Sequence, residues 1–185
     1  MRKMKIGGIV LGDKVSLTQE VLKNEELNLS DSRKTDLPLS EELIEECRES
    51  FVSALPSGSD SFFCSGLCKE SDIIDLDDAD VYVVFPFGGM TDLLFAALFG
   101  KNRPILVVTE PYEKYWSYGA VYYPYFMRDT REIAAYLEIP QKVCLVRSQD
   151  ELKEELAAYL VQFCVRNTTL LCIGEPMYEP FHSWN

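Results

Sequence analysis

His182 is the only histidine in the chain, which excludes a metal site or proton relay built on two imidazoles. A Ser–His–Asp triad would have to borrow it, and no G-x-S-x-G elbow is present. The stretch Phe87-Gly88-Gly89-Met90-Thr91 is a better place for chemistry. Paired glycines let a backbone approach a ligand closely, and a helix starting at Thr91 would add unpaired N–H groups and a positive dipole end. Such a turn suits a phosphate, a carboxylate or a sugar hydroxyl. It also suits a tight strand-to-helix turn capped by Thr91 with no ligand at all. No Walker lysine pattern or G-x-G-x-x-G accompanies it, so a nucleotide site is not supported. Glu110 and Glu175 each follow a strand-like run and could act as a general base beside that turn.

The strongest compositional anomaly follows Glu110. From Tyr112 to Phe126, eight of fifteen residues are aromatic, with Tyr112, Tyr115 and Trp116 leading the run. Flat apolar faces with a polar edge suit stacking on sugar rings and equally suit a protein interface. Stacking on nucleic acid needs a basic groove, and only Lys114 and Arg128 lie close by. Cys64 and Cys68 lack the second pair or the histidines of a zinc site. The acidic run Glu70, Asp72, Asp75, Asp77, Asp78, Asp80 lacks the spacing and glycine of a calcium loop and reads as a solvated connection.

The elements that must position these residues alternate in type. Strand-like runs occupy Lys5–Gly12, Phe62–Cys68, Val81–Phe87, Pro104–Glu110, Lys142–Arg147 and Leu170–Gly174, mostly as continuous apolar stretches suited to burial on both faces. Ser40 is placed to cap a helix with Leu43, Ile44, Cys47, Phe51 and Leu55 on one side and five glutamates elsewhere. Thr91 opens an apolar helix stopped at Gly100, which should be buried in the fold or at an interface. Asp129 with Glu132, and Ser148 with Glu151, match the capping box and start two more helices. This rhythm predicts a three-layer α/β/α sandwich, Rossmann- or flavodoxin-like, with an open, mostly parallel sheet of about five or six strands. Residues 1–169 read as one domain. Residues 170–185 read as a terminal strand and tail, where a linker to a second domain would begin. Residues 13–39 are long for a strand-to-helix connection and read as a marginal helix plus a loop or lid.

Charge and composition narrow the partners. Thirty acidic against eighteen basic residues give a net charge of −12, which argues against nucleic acid and anionic membrane as partners. No apolar run reaches membrane-spanning length. The early Arg2, Lys3 and Lys5 precede too short an apolar stretch for a signal peptide, so a first strand is the better reading. The six cysteines sit mostly inside apolar runs, as buried thiols of a reducing, cytoplasmic compartment do.

One order of motifs resembles a known family. A hydrophobic strand leads into Gly88-Gly89-Met90-Thr91-Asp92, then an apolar helix, then Arg103-Pro104-Ile105-Leu106-Val107-Val108. This resembles the GG-T-[ED] turn and P-[IV]-L-L strand in the N-terminal domain of the L-fucose/L-arabinose isomerase-like family. Leu171-Cys172-Ile173-Gly174-Glu175-Pro176 is similar to that family's linking strand and G-x-P turn. Met90 between the glycines and Thr91, and a late Trp184, depart from the pattern. The resemblance implies a Rossmann-like first domain of a ketol isomerase, which interconverts aldose and ketose through an enediol using a divalent metal, usually manganese. The family's metal ligands lie in later domains, so the implied cofactor is Mn2+ for a full-length isomerase and none in this chain. The first domain helps oligomer packing and can lend an aromatic to a neighbouring subunit's sugar pocket.

The resulting expectation is a non-catalytic N-terminal domain that contributes to carbohydrate binding and to assembly of a homo-oligomer. Its substrate-binding residues would be Gly88, Gly89, Thr91, Glu110, Tyr112, Tyr115 and Trp116. Two alternatives stay open: a stand-alone interaction module with an aromatic interface, and a small enzyme taking a phosphorylated or carboxylate metabolite at the Gly88-Gly89 turn.

Overall fold

The apolar runs pair side by side, all in one direction. In the computed structural model, which describes residues 2–12, 39–87, 91–108 and 143–168 (backbone alone over 91–95), five strands form one parallel sheet. They are β1 (Lys5–Leu11), β2 (Asp60–Leu67), β3 (Val81–Pro86), β4 (Ile105–Val108) and β5 (Val143–Val146). Their order across the sheet is β2-β1-β3-β4-β5, so the expected open parallel sheet is present. The expected strand at 170–174, the helix at 129–140 and the long connection from residue 13 to residue 38 lie outside the described residues.

β3 and β4 are buried along their whole length because helices cover both faces. On one face lie α1 (Glu41–Ala54) and α4 (Gln149–Arg166), whose Leu43, Ile44, Cys47, Phe51, Leu152 and Leu156 pack on Val10, Val83, Phe85 and Leu106. On the other lie α2 (Glu70–Ile74) and α3 (Thr91–Gly100), with Ile73, Leu98 and Phe99 against Ile9, Tyr82, Val84 and Val107. Alternate residues of each strand thus feed opposite layers. β1, flanked by β2 and β3, carries two glycines over which aromatics close. A β-carbon at Gly8 would stand 2.8 Å from the Phe63 ring and 2.9 Å from Phe51, and one at Gly7 would stand 2.6 Å from Phe62.

Each helix face is locked by polar contacts of distant residues. Gln149 at the start of α4 donates its amide to the Ser50 carbonyl and the Ser53 hydroxyl, both at 2.7 Å, while the Ser50 hydroxyl donates to Gln149 Oε1 at 2.5 Å. On the opposite face Lys101 Nζ donates to the carbonyls of Ile74 (3.0 Å) and Leu76 (2.8 Å), tying the end of α3 to α2.

The acidic run is more than the solvated connection its composition implies. Asp72 Oδ2 accepts from the Cys68 and Lys69 N–H groups (3.1 and 2.9 Å) and starts α2, while Ile73, Leu76 and Ala79 are buried. Asp80 accepts from the Lys5 N–H at 2.9 Å and pairs with Arg2, and Asp77 pairs with Lys5 at 3.0 Å. The Asp77 and Asp80 contacts close the amino end of the sheet, the end away from the candidate site, whereas Asp72 acts just past the carboxyl end of β2.

Candidate functional site

The sheet reverses its direction of growth between β1 and β3. The chain steps outward from β1 to β2, then crosses back to place β3, β4 and β5 on the other side. In open α/β sheets this reversal splays the connections apart beyond the carboxyl ends of the strands and leaves a crevice for ligands. Here the residues that end β1 and β3 form the floor at this switch point.

Gly12 is the pivot of that floor. Its N–H donates to the Leu67 carbonyl at 2.9 Å, and the Phe87 N–H donates to the Leu11 carbonyl at 2.7 Å. Gly12 has φ of +144°, and a β-carbon there would stand 2.1 Å from the Phe87 carbonyl oxygen. Any side chain would therefore be strained by both its backbone angle and its neighbour. Opposite, β2 shifts register between Ser65 and Leu67, with Gly66 as the extra residue at φ of +74°. That bulge is what brings the Leu67 carbonyl to Gly12. Phe87, Leu39, Leu11 and Val108 are buried beneath this edge, giving it an apolar base.

Around this floor the described elements begin their helices. Ser40 takes up its capping position with its hydroxyl accepting from the Leu43 N–H at 3.1 Å, and Glu41 and Glu42 occupy the first turn of α1. That turn is negatively charged and disfavours an anion. α3 begins at Thr91, four residues after Phe87, so its amino end faces the same edge of the sheet. The sequence places Asp92 in that first turn as well.

Of the seven residues expected to bind ligand, the structure places only Thr91, and that by its backbone at the start of α3. Gly88, Gly89, Glu110, Tyr112, Tyr115 and Trp116 lie outside the described residues. β4 ends at Val108 at the carboxyl edge, with Glu110 two residues further along the chain. Glu175 also lies outside the described residues.

Gly12 and Gly66 are residues the sequence reading did not single out. The available signal was a glycine at the carboxyl end of the first strand of a parallel sheet, a position that reads simply as the end of an apolar run. Titratable groups in the core are set by burial and not by catalytic pairing. Burial pushes the Cys47 thiol up to about 12, with the Glu46 charge adding to the effect, and burial followed by the Asp77 charge raises Cys64. Both shifts favour the protonated thiol over the nucleophilic thiolate. Among the described residues no group of three His, Cys, Asp or Glu side chains stands close enough to hold a metal ion. No disulfide joins the five described cysteines, and no described helix is long and apolar enough to cross a membrane. The chain matches no protein-family model, no curated protein and no solved structure.

Proposed function

We propose that this chain is a carbohydrate-binding, non-catalytic α/β domain of an aldose–ketose isomerase-like protein of the cytoplasm, holding its sugar at the β1/β3 edge. The observation that carries this reading is the strand order. It sets Gly12, Phe87 and the amino end of α3 side by side at a switch point. The segments that follow β3 and β4 in sequence supply Gly88-Gly89 and the aromatic run.

Electrostatics favour a neutral polyol over a phosphate. Glutamates fill the first turn of α1, Asp92 lies in the first turn of α3, and the chain carries −12 overall. An anionic ligand would meet like charge at both helix ends, whereas hydroxyl groups can accept from backbone N–H and donate to carboxylates. Tyr112, Tyr115 and Trp116 would stack on the sugar ring, and Glu110 would accept from a hydroxyl. Manganese and the chemistry of isomerisation would belong to other domains of a full-length enzyme, as the motif resemblance implies.

The test is calorimetric titration of the chain with a panel of aldoses and ketoses, set beside sugar phosphates. Neutral sugars should give heat, and Tyr115→Ala with Trp116→Ala should weaken binding by about tenfold or more, at ~1–3 kcal/mol per lost stacking contact. Aldose–ketose interconversion by the isolated chain with manganese should be absent. Measurable turnover, or binding of sugar phosphates in preference to sugars, would overturn the reading.

A further inference from the structure

We propose that α4 is a self-association surface, on which a second copy of this chain docks antiparallel about a two-fold axis at Val161. The helix is divided in two by charge. Its first half carries Asp150, Glu151, Lys153, Glu154 and Glu155 and buries Leu152 and Leu156 in the core. Its second half, from Ala157 to Val165, is without charge, and the only ionised residue in that direction is Arg166 in the last turn. A helix with no charge on its outer side is ordinarily covered.

This half of α4 is left largely uncovered by the described residues. Tyr159, Leu160, Phe163 and Cys164 are half-buried, while Ala157, Ala158, Val161 and Val165 are exposed. Val161 at 63% and Val165 at 68% are the two most exposed of the large hydrophobic residues described. Ala157, Val161 and Val165 are four residues apart in turn and so form one stripe along the helix.

Charge selects the occupant and its orientation. Two copies of a chain with a net charge of −12 repel unless they meet where carboxylates are lacking, and this stripe is such a place. A parallel pair would set Arg166 against Arg166 and one acidic half against the other. An antiparallel pair centred on Val161 sets Ala157 against Val165 of the partner subunit. It also separates the two Arg166 side chains and keeps the acidic half of each helix clear of the other. The same arrangement aligns each helix's positive amino end with the other's negative carboxyl end. Self-complementary contact of this kind is what a two-fold dimer requires. A single helix pair buries little area, which puts the dimer in the weak, micromolar range. This surface is separate from the proposed sugar site, which lies beyond the strand ends.

Sedimentation velocity on the full chain, from low to high micromolar concentration, tests the proposal. The mass should rise from the monomer's 21.1 kDa towards twice that value. The Val161→Glu, Val165→Glu double variant places like charges across the axis and should raise the dissociation constant on the order of a hundredfold. Both positions are exposed, so circular dichroism should be unchanged. Three results would overturn the proposal: a wild-type chain that stays monomeric throughout, a double variant that keeps the wild-type mass profile, or association lost only on Tyr115→Ala with Trp116→Ala. Coverage of the stripe by the chain's own tail would appear as the first of these, with the double variant lowering the melting temperature. Sugar binding by the monomeric variant is read separately, so the failure of one proposal is distinct from the failure of the other.

Discussion

At Gly12 the backbone does what no side-chain-bearing residue can do. The residue combines φ of +144° with a β-carbon site 2.1 Å from the Phe87 carbonyl oxygen. Relief in Gly12→Ala would require β1 and β3 to part at the edge where the ligand is proposed to sit. Urea denaturation of this variant should show a loss of about 2–4 kcal/mol, beyond the cost of backbone strain alone. Gly58→Ala, with a φ of +90° and no atom within 4 Å of the added β-carbon, should lose about 1–2 kcal/mol. Equal losses at the two positions would mean that the contact with Phe87 carries no weight. The importance of Gly12 was not legible in the sequence because it depends on a residue 75 positions away, whereas its immediate neighbours describe only a strand ending. Gly7 and Gly8 share that character, since the aromatics that require them lie on β2, β3 and α1.

Elements whose boundaries are set by local chemistry were legible in detail. Ser40 and Ser148 both cap as their spacing implies, with hydroxyls accepting from Leu43 and Glu151 N–H groups at 3.1 and 3.2 Å. The second cap differs in one particular. Glu151 turns back to the Arg147 N–H at 2.7 Å, one residue earlier than the capping-box pattern expects, and so fastens the end of β5 to the start of α4. Ser148→Ala should therefore cost about 1 kcal/mol in thermal or urea unfolding, with Glu151→Ala adding a comparable loss. No change in either variant would show that α4 is held by its packing alone. By contrast, α2 left no periodic signal. Its five residues are too few for one, and it exists because Asp72 takes two backbone N–H groups and Ile73 is buried. The candidate site was legible as composition, in paired glycines and clustered aromatics, while strand order marks the switch-point edge at which the site is proposed. Strand order is a product of crossovers between distant segments, which no local pattern encodes.

For the molecule as a whole, burial acts on several acids in one direction. Cys47, Cys64, Tyr82 and Tyr159 are all raised, in each case chiefly by loss of solvation. For Cys47 the shift runs from 9.0 to about 12. Between those values the unfolded chain has released the thiol proton and the folded chain has kept it, so stability falls as pH rises. The contribution is complete below pH 9.0 and lost on the way to about 12, with a slope of up to ~1.4 kcal/mol per pH unit for one such group. Urea midpoints measured from pH 8 upward should decline through this window. Cys47→Ala should be less stable at pH 8, because it leaves a small cavity, yet decline less steeply; an unchanged slope would show that Cys47 does not contribute. The clip between Gln149 and Ser50 has a different consequence, for the order in which the chain becomes a protein. The clip that ties α3 to α2 is complete at Lys101, whereas the clip on α1 waits for a helix that begins at Gln149. During synthesis from the amino end, the first of the described helices is thus among the last of them to find its neighbour. Until the ribosome has released α4, Leu43, Cys47 and Phe51 must rely on the sheet for cover, and a nascent chain stalled in that interval presents this apolar helix face to chaperones.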